Sequence, residues 1–140
     1  MSTPQEHKPQ AVKAERLSPQ DQFSGEQLNE MLGDDAALVQ SGHVQYWRFN
    51  DTVGQFNATA PANVWHMELH IHNEDWQAVA KDTRLILSAF WDAQHPEYIT
   101  ATSPAHWSSV VLMQTIGLQQ VGILPLADGP QILWGWRKCH

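Results

Sequence analysis

The sequence predicts an α/β chain of the α+β kind, with one mixed, mostly antiparallel central sheet and helices on both of its faces. Three observations carry this expectation. Residues 64–72 alternate strictly, with Trp65, Met67, Leu69 and Ile71 on one side and Val64, His66, Glu68, His70 and His72 on the other, as the period-two side chains of a strand do. Immediately afterwards Trp76, Val79, Ala80, Thr83, Ile86, Leu87 and Phe90 recur at three- and four-residue spacings, the apolar stripe of an amphipathic helix. Near the C-terminus two apolar runs flank Asp128-Gly129, a pair that favours a tight turn between antiparallel strands.

Taken in order, residues 1–10 are polar with two prolines and read as a mobile arm, leaving residues 11–140 as one domain. Residues 11–17 form a weak first strand. Residues 24–40 suit a helix capped by Ser24, or two short helices broken at residues 33–35. Gly42 closes that segment, and residues 43–50 have strand character, followed by a turn and a weaker strand over residues 55–60. After the central strand, Asn73 is the expected helix cap. His95-Pro96 stops the helix, because the residue before proline avoids helical angles. Residues 97–102 read as a short buried strand, Ser103 and Pro104 as the opening of a helix, and Gly117 as its left-handed C-cap. Strands over residues 118–126 and 130–137 complete the chain. A meander combined with two crossover connections gives a mixed sheet.

Composition excludes several classes. The 140 residues carry 8 Lys+Arg against 15 Asp+Glu, a net charge of -7, with no basic run. Phosphate neutralisation by Lys and Arg is therefore missing, and nucleic-acid binding is not expected. The single cysteine, Cys139, rules out an internal disulfide and a zinc-thiolate cluster. The N-terminus lacks the apolar core of a signal peptide, and the longest apolar runs fall far short of the roughly 20 residues that span a bilayer. The expectation is a soluble protein made in the cytoplasm. Seven tryptophans are many for this length; core packing is the default for them, and an interface with a protein partner or a second copy is the sharper alternative, especially for Trp134 and Trp136 with Ile132 on the last strand.

The element order resembles the GNAT fold of the GCN5-related N-acetyltransferases, specifically from Val64 onward. In that superfamily a strand leads into an Arg/Gln-x-x-Gly-x-Gly/Ala loop at the start of a helix, whose amides hold the pyrophosphate of coenzyme A. The matching segment here is Gln77-Ala78-Val79-Ala80-Lys81-Asp82, with Trp76 before it and Leu85 after it. A second signature, Asn-x-x-Ala-x-x-Leu-Tyr-x-x-x-Gly-Phe, falls on residues 106–118, where Leu112 and Gly117 match. Met113 stands where the family often has the tyrosine that protonates the departing thiolate, and methionine donates no proton. By position the resemblance assigns Ile71, Gln77, Ala78, Val79, Ala80 and His106 to the cofactor, and Glu68 to the general base that deprotonates an amine.

The loop departs from what a phosphate cradle needs. Glycine lets backbone approach the anion closely, and here Ala80 and Asp82 replace it while Glu74 and Asp75 stand in the first turn. Each like charge at this range disfavours a pyrophosphate by about 1 kcal/mol or more. The expectation is a degenerate loop and no cofactor, with an acetyl-CoA-dependent N-acyltransferase as the alternative. With Trp76, Lys81 and residues 114–117, the chain is similar to the small acetyltransferase-like proteins of short-tailed bacteriophages. That similarity implies a non-catalytic virion or head-assembly component working with other virion proteins, in the host cytoplasm or the particle.

One pattern falls outside the resemblance. His66, Glu68, His70 and His72 share a strand face, and an H-x-E-x-H-x-H array can ligate Zn²⁺ or Fe²⁺. Neighbours on such a face lie about 6.5–7 Å apart, close enough for two or three to meet one ion. The plainer reading is a half-exposed groove whose histidines bond to nearby loops, and no metal is the expectation.

Overall fold

A computed structural model describes residues 14–19, 24–59 and 63–138. The expected arm over residues 1–10, the first residues of the expected first strand and Cys139 lie outside the described residues. Among the described residues seven strands and four helices follow one another: β1 (Glu15–Leu17), α1 (Gly25–Leu32), α2 (Asp35–Ser41), β2 (Val44–Phe49), β3 (Thr52–Thr59), β4 (Val64–His70), α3 (Trp76–Gln94), β5 (Tyr98–Pro104), α4 (Trp107–Ile116), β6 (Gln119–Leu126) and β7 (Gly129–Trp136). They form one sheet in the order β1-β2-β3-β4-β5-β7-β6, in which only the β4–β5 pair is parallel.

The expected mixed sheet is therefore present, and the reason lies in the connections. A short turn joins β2 to β3, β3 pairs antiparallel with β4, and the helix α3 carries the chain across to a parallel neighbour. One face of the sheet packs a continuous core with α3 and α4: Phe56, Trp65, Met67, Ile99, Ala101 and Trp134 meet Ile86, Leu87, Phe90, Met113 and Ile116. Phe56 and Phe90 stack with ring centroids 3.9 Å apart, and Trp47 and Trp65 meet Phe90 edge-on. At Gly54 an added Cβ would lie 3.0 Å from Ile86, so the absence of a side chain lets α3 approach β3. The helices α1 and α2 bury Leu28, Ala36 and Val39 over the β2 end of the opposite face, and much of the β3–β4 surface beside them stays polar.

Local signals explain most element ends. Ser24 caps α1 with a full capping box, accepting from the Gln27 amide while Gln27 accepts from the Ser24 amide. Residues 24–40 are indeed two helices, parted at Gly33 and Asp34. His95 ends α3 in the left-handed region, and Gly117 ends α4 at φ 105°, a conformation that favours glycine. Several expectations fail. The strand expected from residue 55 already begins at Thr52, in register with Phe49 across a two-residue turn. Ser103 and Pro104 complete β5 instead of opening a helix, because Ser103 and Pro104 stay in register with Ile132 and Gln131 of β7, and α4 begins three residues later. The central strand ends at His70, so Ile71 and His72 lie beyond it.

Candidate functional site

The site forms where β4 and β5 part. The two strands pair from Val64–Met67 against Tyr98–Ala101, then diverge, and a cavity of about 300 Å³ opens between them. Met67, Glu68, Leu69 and Ile71 wall one side, Thr102, Ser103 and Pro104 the other, and Ser109, Leu112 and Met113 of α4 close it. A second cavity of about 300 Å³ lies between the starts of α3 and α4, walled by Glu74, Trp76, Trp107, Ser108, Ser109, Val111 and Leu112. Ser109 and Leu112 line both, so the two hollows form one furrow along α4.

The start of α3 decides what that furrow offers. The helix is already formed at Trp76, and its cap is Asp75, not Asn73. The Asp75 carboxylate accepts from the amides of Gln77 at 3.1 Å and Ala78 at 3.3 Å, while its carbonyl takes the Val79 amide at 3.0 Å. Asn73 serves one step back, its side-chain oxygen accepting from the Asp75 amide at 2.8 Å. These are the donors that a helix N-terminus otherwise presents to an anion. Here a carboxylate of the chain itself holds them.

Because the helix starts this early, residues 77–82 are helical turns and not a loop. Val79 and Ala80 face the core, each 1% exposed. Asp82 does not stand at the mouth as a third repelling carboxylate; it is 5% exposed and accepts from Asn50 Nδ2 and Thr52 Oγ1, each at 3.2 Å. The crowding expected from Ala80 and Asp82 is thus absent, since both point away from the furrow. The acids that do face it are Glu74 and, through the fork, Glu68.

Of the residues assigned to a cofactor by position, Ile71 lines the fork, whereas Gln77, Ala78, Val79 and Ala80 line neither hollow. His106 is the N-cap residue of α4 but makes no capping bond; its ring meets Ser108 Oγ at 3.4 Å and lines neither hollow. Glu68 is exposed at the lip of the fork. Its charge raises the Tyr46 hydroxyl pKa, after burial and Asp35, and partly offsets the burial that lowers the His66 pKa.

The histidines of β4 do not converge. His66 Nδ1 lies 2.9 Å from Thr100 Oγ1 and His70 Nε2 lies 2.9 Å from Gln55 Oε1, on different neighbouring strands. With His72 past the strand end, no group of three His, Cys, Asp or Glu stands ready for a metal among the described residues. Ser109 and Trp107 were given no site role from the sequence, and Leu112 only as a match to the second signature. The available signal was a small, polar strip, Ser108 and Ser109 with Leu112 one turn on, in an otherwise apolar helix.

The sequence matches no known family profile and no curated protein. Solved structures do match it. The apo form of RimL, a ribosomal L7/L12 α-N-protein acetyltransferase, superposes with a TM-score of 0.68 at 11% identity, covering 91% of this chain and 95% of that one. The ribosomal-protein-S5-alanine acetyltransferase of Vibrio fischeri gives 0.62 at 13%, covering 79% and 70%. A GNAT-family acetyltransferase of Bacillus anthracis gives 0.54 at 11%, covering 74% and 72%. The fold is that of the GNAT acetyltransferases. At these identities the likeness establishes architecture alone. Among the described residues no helix is long and apolar enough to cross a membrane.

Proposed function

We propose that this chain uses the GNAT scaffold without acetyl transfer, as a partner-binding protein of structural or assembly type. The observation that carries the reading is the Asp75 carboxylate seated on the amides of Gln77 and Ala78. A pyrophosphate needs those N–H groups free and a neutral or positive surround; with Glu74 exposed beside them, the residues present do not fit coenzyme A. Its finer form, a virion or head-assembly protein of a short-tailed phage, is supported by the sequence resemblance at Trp76, Lys81 and residues 114–117. Titration calorimetry with acetyl-CoA tests the reading: no saturable heat is expected, and micromolar binding overturns it.

The fork cavity favours one second reading. In it Glu68 at the lip would serve as the base for an amine entering between β4 and β5, as an N-acyltransferase with a divergent loop requires. Under that reading acyl transfer to an amine is measurable and Glu68→Gln abolishes it while leaving the unfolding midpoint unchanged.

A further inference from the structure

The hollow between the starts of α3 and α4 is built for the opposite charge to a phosphate. Trp76 is 44% exposed and Trp107 79% exposed, and both line it beside the Glu74 carboxylate, with Val111 and Leu112 as its apolar wall. None of its lining residues is lysine or arginine. The positive end of α3, which elsewhere favours anions, carries the Asp75 carboxylate as its cap. An indole face is negative through its quadrupole and attracts a cation lying within about 6 Å of the ring centre. Two indoles and one carboxylate around a single hollow therefore select a cation with a flat or apolar body.

We infer that this hollow receives an arginine side chain of a partner protein, its guanidinium stacked on Trp76 and Trp107 and paired with Glu74. Arginine suits it better than lysine because the planar guanidinium stacks on aromatic faces and sheds water more readily than an ammonium. The net charge of -7 adds long-range attraction for a basic partner. The assignment deepens the non-catalytic, partner-binding reading and rests on it.

The test uses the full chain labelled with nitrogen-15, so that each tryptophan indole N–H gives its own signal, assigned with Trp76→Phe and Trp107→Phe. A blocked Gly-Gly-Arg-Gly-Gly peptide is titrated against the same peptide carrying citrulline, which keeps the shape and loses the charge. Saturable shifts confined to the Trp76 and Trp107 indoles are expected, with the citrulline peptide about tenfold weaker. Glu74→Gln and Trp107→Ala each weaken the arginine peptide several-fold; both residues are exposed, so the circular dichroism spectrum stays that of the parent. Equal binding of the two peptides, no saturable shift, or indifference to Glu74→Gln overturns the assignment. Acetyl-CoA added to a parallel sample separates the two questions. Its binding overturns the non-catalytic reading whatever the peptide does, whereas failure of the peptide alone removes the arginine site and leaves that reading standing.

Discussion

The two ends of α3 obey different constraints although they belong to one unbroken helix. Its C-terminal half is fixed by volume: Ile86, Leu87 and Phe90 are each 0% exposed, and Phe90 meets three aromatic rings. Any chain of this fold must fill that space, because an unfilled interior loses dispersion contacts on every side. Its N-terminal turn is fixed by hydrogen bonding: Asp75 holds two amides that would otherwise need water or a ligand. The first constraint sets how the helix packs on the sheet, while the second sets which backbone groups its start leaves free. Packing and hydrogen bonding thus divide a single helix between them.

The comparison breaks most visibly at its packed end. Phe90→Ala removes the stack with Phe56 and opens a cavity, and a loss of about 3–5 kcal/mol is expected in urea unfolding, read as a lower midpoint at unchanged slope. A smaller change separates interior from mouth. Asp82→Ala leaves the buried Thr52 hydroxyl without its acceptor, while the exposed Asn50 amide can turn to water, with an expected loss of about 1–3 kcal/mol and no gain in acetyl-CoA affinity; tighter acetyl-CoA binding would show that Asp82 does act at the furrow.

The exposed end is tested by its cap. Asp75→Ala is expected to lower stability by about 1 kcal/mol, whereas Asp75→Gly loses only a few tenths, since glycine is a tolerable cap. The glycine variant also frees the Gln77 and Ala78 amides, so inorganic pyrophosphate shifts their amide signals in the variant and not in the parent; an unresponsive variant would mean that Glu74, and not the cap, governs anion exclusion.

The smallest expected effect comes from the polar face of the sheet. Burial lowers the His66 pKa below its ordinary 6.5, with Glu68 pulling the other way. The unfolded chain then binds more protons than the folded one as the pH falls through that range, so stability is full above about pH 6.5 and declines toward the folded pKa. Unfolding midpoints measured between about pH 7.5 and 5 are expected to fall slightly, and His66→Gln to flatten that part of the decline.

Much of the fold was legible because its signals are local and repeated. The alternation of residues 64–70, the stripe from Val79 to Phe90, the Ser24 cap and Gly117 each follow from short-range rules that burial then reinforced. The errors fell where tertiary partners decide. Pro104 reads as a helix opener in isolation, yet β7 recruits it into a ladder. Asp82 reads as a surface charge, yet Asn50 in the β2–β3 turn and Thr52 at the start of β3, some 30 residues earlier, draw it inward. The array of His66, Glu68, His70 and His72 looked convergent along one strand, while in the sheet His66 and His70 bond to different neighbouring strands and His72 lies past the strand end.

By itself the sequence determined the order of the elements, the mixed sheet and the acidic, glycine-poor start of the central helix, because periodicity, capping and charge are properties of neighbouring residues. Only the tertiary structure decided which carboxylate matters there. The Asp75 cap is local, reaching amides two and three residues on, but whether Asp82 turns into the core or Glu74 faces the furrow depends on what packs beneath the helix and beside it. Those are relations between distant parts of the chain, and no spacing along it records them.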